Sequence, residues 1–253
     1  MNRAFILTLE KLREEPYASL LCYPKASNVE LRNRLKELQR LGVKALEFCG
    51  NKQVRQAAVL GKGCVGIVVL AYVDGEKAAL KIRRVDADRA GLQHEAEMLV
   101  KANSVQVGPK LLNVSRDFLL MQFIDGELLP DWLETHREEG RIRRVLSDVL
   151  EQCWRLDDIG LDHGELSHAP KHVIVSKREK PYIVDFETAS VNRRPSNVTS
   201  ICQFLFISGV VAGIVAEKVG RRETEIIVES LRFYKNNRTR ENFEKVLHCL
   251  LHL

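Results

Sequence analysis

Residues 60–83 read LGKGCVGIVVLAYVDGEKAALKIR, and this stretch contains the strongest structural signals of the chain. Its first part has the spacing G-x-G-x-x-G-x-V, from Gly61 to Val68, and such glycines let a backbone approach another group without interference from a Cβ atom. The pair Asp74-Gly75 then predicts a tight hairpin between two apolar runs. A dinucleotide-binding loop would need a helix directly after the glycines. We therefore expect two antiparallel strands joined to a glycine-rich turn.

The chain ahead of this hairpin is expected to be helical over residues 1–44. Ser27 and Glu30 form a capping-box signature, and Gly42 is a plausible end of the helix that follows. Apolar residues recur at helical spacing at Leu31, Leu35 and Leu38. The outer face, expected to be exposed to solvent, carries Arg32, Arg34, Lys36 and Arg40.

The order of elements along the chain predicts an α+β fold, because strands come first and helices later. A long amphipathic helix is expected at residues 141–159, and two short strands at 173–175 and 182–184. The predicted division is a helical N-terminal extension at 1–44, a strand-rich lobe at 45–124 and a mainly helical lobe at 125–253.

Composition restricts the class of protein. The chain has 253 residues, of which 45% are hydrophobic and 29% charged, which excludes a disordered or fibrous chain. The net charge of +5 suits an anionic ligand but is no signature of nucleic-acid binding. The six cysteines lack metal-binding spacing, and the first nine residues do not resemble a signal peptide, so a cytoplasmic protein with reduced thiols is expected.

Residues 201–216 read ICQFLFISGVVAGIVA and require a membrane test. A membrane-spanning helix needs about 20 apolar residues, and this segment is shorter. We expect it to form one buried helix of the second lobe rather than a membrane-spanning helix.

Two charged residues lie where apolar patterns would bury them. Lys81 belongs to the strand-like run AALKI, residues 78–82. Glu95 shares a helical stripe with Leu92 and Leu99, whereas Glu97 points elsewhere. Of the two carboxylates, Glu95 is therefore the one expected on the inward face of its helix.

These features, in this order, resemble protein kinases. The strand–glycine turn–strand unit and the lysine strand match their first motifs, the segment HGELS at 163–167 resembles their catalytic loop, and Asp185-Phe186-Glu187 resembles D-F-G. HGELS is most similar to the small atypical RIO-like kinases, and the chain looks like an archaeal-type predicted serine/threonine kinase. The resemblance implies a bilobal protein-kinase-like fold with a reduced C-terminal lobe and ATP between the lobes.

The resemblance also implies a set of functional residues and the cofactors ATP and Mg²⁺ or Mn²⁺. The residues that would contact the nucleotide are Gly61, Lys62, Gly63, Gly66, Val68, Lys81, Met121, Gln122 and Ile124. Met121, Gln122 and Ile124 belong to the implied hinge, where backbone groups would read the adenine. The catalytic residues would be Lys81, Glu95, Glu165 and Asp185, and the metal ligands Asp185 and His172. Together with the inward phase of Glu95, the motif order predicts an ion pair between Lys81 and Glu95.

The sequence departs from the kinase pattern at two of these positions. Glu165 replaces the usual Asp, which keeps the charge but lengthens the side chain. Pro170 stands where the pattern has a metal-binding Asn, and an insertion of two residues would bring His172 to that place, although imidazole is a poor ligand for Mg²⁺. Three functions are favoured: an active kinase with an unknown protein substrate, a nucleotide-binding pseudokinase scaffold, and a small-molecule phosphotransferase. A DNA-binding protein with a degenerate kinase lobe ranks behind them. No nucleic-acid or membrane partner is expected.

Overall fold

The computed structural model describes residues 5–252, which form two compact units. The first unit comprises residues 5–97 and 110–123, and the second comprises residues 98–109 and 124–252. An antiparallel sheet followed by a mainly helical region confirms the predicted α+β, protein-kinase-like fold class. The three-part division at residues 44 and 124 stays a prediction.

The first unit is built on an antiparallel sheet. Its strands are β1 (Phe5–Thr8), β2 (Val43–Phe48), β3 (Lys52–Val54), β4 (Ala57–Val59), β5 (Gly61–Lys62), β6 (Gly66–Val73), β7 (Glu76–Arg83), β8 (Leu111–Val114) and β9 (Phe118–Gln122). Seven of them form one sheet in the order β1-β2-β6-β7-β9-β8, with β5 paired to β6, while β3 and β4 form a separate hairpin. Asp74 and Gly75 both have positive φ in the turn between β6 and β7, as the predicted hairpin requires.

Side-chain alternation in the sheet separates its core face from the face that carries the lysine. Leu80 and Ile82 of β7 belong to the main apolar core of the unit. Because successive side chains of a strand point to opposite faces, Lys81 lies on the other face. Its cross-strand partner there is Leu119 of β9, which packs against Leu92 and Ala96.

The N-terminal segment differs in part from the prediction. It contains a 3-10 helix at Lys11–Arg13 and the helices α1 (Tyr17–Leu21) and α2 (Asn28–Arg40), but residues 5–8 form strand β1 instead of a helix. Strand β1 pairs with β2, so Leu7 is buried and Ile6 is 59% exposed, a period of two. Pairing with a distant strand overrides the local pattern here. The part of the prediction that covers residues 1–4 lies outside the described residues.

Helix α2 confirms the capping signal and corrects one expectation about its outer face. The Ser27 hydroxyl accepts a hydrogen bond from the backbone N–H of Glu30. Arg34, expected on the solvent side, is fully buried. Its guanidinium donates to the carbonyls of Leu21 and Arg83, which ties the N-terminal segment to β7. Arg34 can be buried because carbonyl groups of other segments accept its hydrogen bonds, and helical periodicity in the sequence contains no information about those segments.

The second unit is mainly helical. Helix α3 (Gln93–Ser104) runs from the first unit into the second. The other elements are β10 (Gly126–Leu128), α4 (Leu129–Thr135), α5 (Glu139–Asp158), a 3-10 helix at Leu166–His168, β11 (Val173–Ser176), β12 (Pro181–Ile183), α6 (Asn197–Cys202), a π-helical turn at Gln203–Ile207, α7 (Val210–Val219), α8 (Thr224–Asn236) and α9 (Arg240–Leu251). Strands β10, β11 and β12 form a small antiparallel sheet, and α5 buries the predicted apolar stripe.

The segment at residues 201–216 corrects the expectation of one buried helix. It breaks at Ser208-Gly209, and the two helical pieces meet at an angle of 76°. Gly209 has φ +95°, a conformation that ends one helix and redirects the chain, and Val210 beyond it is 80% exposed. Within residues 5–252 no single helix has the length and hydropathy of a membrane span, whereas the bent pair Asn197–Ile207 and Val210–Val219 meets that test by length and composition only.

Candidate functional site

The glycine-rich segment forms the predicted strand–turn–strand unit. Gly61 of β5 pairs with Val68 of β6, and the N–H of Gly63 donates to the carbonyl of Gly66 at 2.8 Å. Lys62, between the first two glycines, is exposed. Because β6 rather than a helix follows the last glycine, the structure excludes a dinucleotide-binding loop.

The three glycines are not required for the same reason. A Cβ atom on Gly66 would lie 2.7 Å from the carbonyl oxygen of Ile82, so close packing against β7 demands glycine there. A Cβ atom on Gly61 would lie 3.5 Å from the Val68 side chain, and one on Gly63 would lie 3.7 Å from the nearest atom. The fold therefore leaves room for side chains at Gly61 and Gly63, and their glycine identity is consistent with the close approach of a ligand.

Lys81 and Glu95 form the predicted ion pair. The Lys81 ammonium lies 2.9 Å from Oε1 and 2.8 Å from Oε2 of Glu95, and both side chains are more than nine-tenths buried. Helix α3 places Glu95 on the same side as the buried Ala96, while Glu97 is exposed, as predicted. Strand alternation and helical phase together bring the two charges into contact. The pair holds a cation in one orientation on β7, next to Val68 in the sheet register.

The segment expected to act as a hinge begins in β9. Met121 is half-buried and pairs with Ala79 and Leu111. Gln122 is exposed, and its backbone N–H donates to the carbonyl of Lys110 at 2.8 Å. Ile124 is half-buried and is the first residue of the second unit after β9. The structure thus places all three predicted residues at or just beyond the end of one strand.

His163 anchors the predicted catalytic loop in the interior of the second unit. Its ring is fully buried, Nε2 lies 3.1 Å from the carbonyl oxygen of Val184, and the ring contacts Phe186 edge-on. Burial, with a smaller effect of the neighbouring His172, lowers the pKa of His163 to about 4. A neutral imidazole that bonds a backbone carbonyl has a structural role, because it links the loop to the segment after β12.

Residues that sequence reasoning missed hold this loop in place. The side-chain oxygen of Asn197 accepts a hydrogen bond from the N–H of His163 at 2.8 Å, and its amide donates to the buried carboxylate of Asp157. On the other side, Asp162 pairs with Arg193 at 2.9 Å. These partners lie 31–40 positions apart in sequence, so no local pattern could have revealed them.

Glu165, His172 and Asp185 form a cluster in the second unit. Glu165 precedes the 3-10 helix, His172 precedes β11, and Asp185 follows β12. The His172 Nε2 atom lies 3.3 Å from Oε2 of Glu165, and His172 Nδ1 lies 4.0 Å from Oδ2 of Asp185. The three residues can each offer one ligand atom within 4.8 Å of the others. The predicted metal ligands His172 and Asp185 thus lie together, and Glu165 lies with them.

The cluster has the properties of a divalent-metal site. Asp185 adopts φ +70°, an uncommon backbone conformation for a residue other than glycine that tends to occur at functional positions. Burial lowers the pKa of His172, although Asp185 and Glu165 oppose that effect, so its imidazole is neutral and able to coordinate. The Nδ1 atom of His172 is buried without a hydrogen-bond partner. Two carboxylates and an imidazole with an unsatisfied nitrogen fit a divalent cation, though not the all-oxygen set that Mg²⁺ prefers.

Comparisons with known proteins identify the family of the chain. The family model described as the RIO domain matches residues 68–200, which is more than half of the chain. An uncharacterized protein of Methanocaldococcus jannaschii is 32% identical over 117 residues, which cover 46% of this chain and 98% of that protein. The residues matched by the RIO domain model contain the lysine strand, the HGELS loop and the candidate metal ligands. The chain therefore belongs to the RIO domain family of atypical, protein-kinase-like proteins.

Proposed function

We propose that this chain is an ATP-dependent phosphotransferase that acts on serine or threonine hydroxyls of a protein substrate. The observation that carries the proposal is the buried pair of Lys81 and Glu95, with separations of 2.8–2.9 Å, on the strand that follows the glycine hairpin. A cation held in one orientation by a carboxylate suits the α- and β-phosphates of ATP. Membership of a kinase-like family supports the same assignment.

The first unit would supply most of the contacts to the nucleotide. Backbone N–H groups near Gly61 and Gly63 would approach the phosphates, since neither position is crowded by the fold. Lys62 and Lys81 would offset phosphate charge, and Val68 would pack against the base or sugar. Along β9 and just beyond it, Met121, Gln122 and Ile124 would line the adenine position.

The second unit would supply the groups for transfer. A hydroxyl oxygen of the acceptor forms a bond to the γ-phosphorus while the bond from that phosphorus to the β–γ bridging oxygen breaks, and ADP leaves. Glu165 would orient the hydroxyl and accept its proton. The Glu165 side chain is 34% exposed, so an acceptor can reach it. The protein would lower the activation barrier of phosphoryl transfer by positioning the reactants and offsetting charge, rather than by forming a covalent intermediate.

Asp185 and His172 would hold Mg²⁺ or Mn²⁺. Their side chains are 24% and 1% exposed, and each can offer a ligand atom. The ion, when bound, compensates the negative charge of the phosphates. Asp185 would orient it, and its backbone strain is consistent with that task.

The second candidate function is a nucleotide-binding pseudokinase scaffold. It is favoured by one observation, the separation of 3.3 Å between Glu165 and His172, which engages the carboxylate proposed as proton acceptor. Such a protein would bind ATP or ADP but transfer no phosphate.

We further propose a reducing, cytoplasmic location. The six cysteines are all unpaired, and burial raises the pKa of the Cys153 and Cys202 thiols, which keeps them protonated and unreactive.

The test is nucleotide binding followed by phosphate transfer. Titration calorimetry would measure ATP and ADP affinity with Mg²⁺, with Mn²⁺ and without either ion. Radiolabelled γ-phosphate would then report transfer to the protein itself and to generic acceptor proteins. We expect metal-dependent ATP binding and labelling of serine or threonine.

Lys81→Met is the informative variant, because it removes the phosphate-binding cation, and Lys77→Met is its matched control. Lys77 lies on the same strand but is exposed. Transfer should be lost in the first variant and kept in the second. Binding without transfer under any metal would replace the kinase by the scaffold, and absence of nucleotide binding would overturn both.

A further inference from the structure

The cluster of Glu165, His172 and Asp185 differs from an ordinary kinase metal site in one chemical respect. His172 occupies the place predicted for an oxygen-donating Asn, and its side chain is 1% exposed. Glu165 and Asp185 flank it on opposite ring nitrogens, at 3.3 and 4.0 Å. The imidazole therefore lies between two carboxylates that come from different loops of the same unit.

The buried imidazole has an unsatisfied atom. Nδ1 of His172 has no hydrogen-bond partner, and neither has the buried Oε2 atom of Glu165. Burial of a polar atom without a partner destabilises the fold, so the retention of these two atoms calls for an explanation. One ion binds an imidazole through a single nitrogen, so a cation on Nδ1 would satisfy that atom, and a movement of the Glu165 side chain would bring Oε2 to the same ion.

The spacing of the ligand atoms suits one ion. Ligands at about 2.1 Å from an octahedral metal stand about 3 to 4.2 Å apart, depending on whether they are adjacent or opposite. The potential ligand atoms of the three residues lie within 4.8 Å of one another. Small side-chain adjustments would bring all three onto one ion.

We propose that Glu165, His172 and Asp185 form a site that binds a transition-metal divalent cation of the Mn²⁺ class without nucleotide and in preference to Mg²⁺. The inference rests on the metal pair His172–Asp185 of the proposed function and adds Glu165 as a third ligand in the nucleotide-free protein. Imidazole favours transition metals, whereas Mg²⁺ selects oxygen ligands and retains its waters. Phosphate oxygens of a bound nucleotide can replace the Glu165 carboxylate, which would free that residue for the acceptor hydroxyl.

The experiment measures MnCl₂ binding to the full chain with no nucleotide present, by electron paramagnetic resonance of free Mn²⁺ and by competition with MgCl₂. We expect one bound Mn²⁺ that Mg²⁺ displaces poorly. His172→Asn should lower the affinity for Mn²⁺ by about tenfold or more, since loss of a residue that merely orients a metal ligand already costs that much. The same variant should bring the affinities for Mn²⁺ and Mg²⁺ closer together. Glu165→Gln should also weaken Mn²⁺, whereas His168→Asn, an exposed histidine of the same loop, should not.

A second measurement on the unmodified protein avoids dependence on the folding of the variants. Pulsed electron resonance should detect coupling of bound Mn²⁺ to an imidazole nitrogen. No Mn²⁺ binding without nucleotide, no nitrogen coupling, or equal competition by Mg²⁺ would overturn the inference and leave only a contact between His172 and Glu165. If the inference fails, ATP binding with Mg²⁺ would still support the proposed function. If Mn²⁺ binds but ATP does not, the proposed function is contradicted and the metal site is not.

Discussion

The lysine–glutamate pair of the first unit and the carboxylate–histidine cluster of the second reach their positions by different routes. Lys81 and Glu95 lie on a strand and a helix, whose regular periods decide which side chains are buried. Glu165, His172 and Asp185 lie outside the named helices and strands, where local turns and hydrogen bonds to distant segments, rather than a regular period, set the backbone. The pair on regular secondary structure therefore follows the kinase pattern, whereas the cluster in the loops is where this chain departs from that pattern.

The largest expected effect tests whether the cluster is a metal site at all. Asp185→Ala should remove metal-dependent ATP binding and bring transfer below detection, because the proposed metal loses its carboxylate ligand. Calorimetry with and without Mg²⁺ measures the first effect and radiolabel transfer the second. Asp158→Ala, at the exposed end of α5, is the control. Unchanged metal dependence in the Asp185 variant would remove this residue from the site.

A second prediction separates chemistry from binding within the cluster. Glu165→Gln should leave the affinity for Mg²⁺–ATP nearly unchanged and slow transfer by about 10²- to 10⁴-fold, the usual contribution of a positioned proton acceptor. Single-turnover transfer with saturating ATP reports the chemical step. Transfer at the parent rate would exclude Glu165 as the proton acceptor.

A third prediction concerns the stability of the regular pair. Glu95→Gln removes the negative charge from a buried ion pair, and breaking such a pair from one side costs about 3–5 kcal/mol of unfolding free energy. Urea denaturation measures the loss, and Glu97→Gln on the exposed face of α3 should be neutral.

The double variant Lys81→Met/Glu95→Leu sharpens this test. Replacing both charges by apolar side chains removes the whole ion pair rather than one half of it, so stability should recover towards the parent value. Equal losses in the single and double variants would show that the pair contributes packing rather than electrostatic stabilisation.

The smallest expected effect distinguishes two glycines of the hairpin. Gly66→Ala places a Cβ atom 2.7 Å from the Ile82 carbonyl oxygen and should destabilise the fold by about 1–3 kcal/mol. Gly63→Ala meets no atom closer than 3.7 Å, so its stability should be near that of the parent while ATP affinity falls. Thermal unfolding and calorimetry give the two readouts. Equal ATP affinity in Gly63→Ala would mean that no phosphate approaches this backbone.

Local patterns predicted elements well where one face of a helix or strand meets a core. Helix α5, the hairpin around Asp74-Gly75 and the Ser27 cap agree with expectation, because each follows from periodicity or turn chemistry within a few residues. Strand β1 was predicted wrongly, since its conformation depends on pairing with β2 some forty residues away. The expectation of one helix at residues 201–216 was wrong for a related reason: the chain changes direction at Gly209, and hydropathy does not report such a change.

The sequence alone determined the order of the motifs, the ion pair of Lys81 with Glu95 and the candidate status of Glu165, His172 and Asp185. Periodicity and motif spacing contain that information because they act over short stretches of chain. Only the tertiary structure decided that Arg34 is buried and that Asn197 fixes the loop of His163. It also decided that His172, rather than Pro170, is the residue beside the two carboxylates. Those outcomes depend on hydrogen-bond partners and neighbours far away in sequence, which become defined only when the chain has folded.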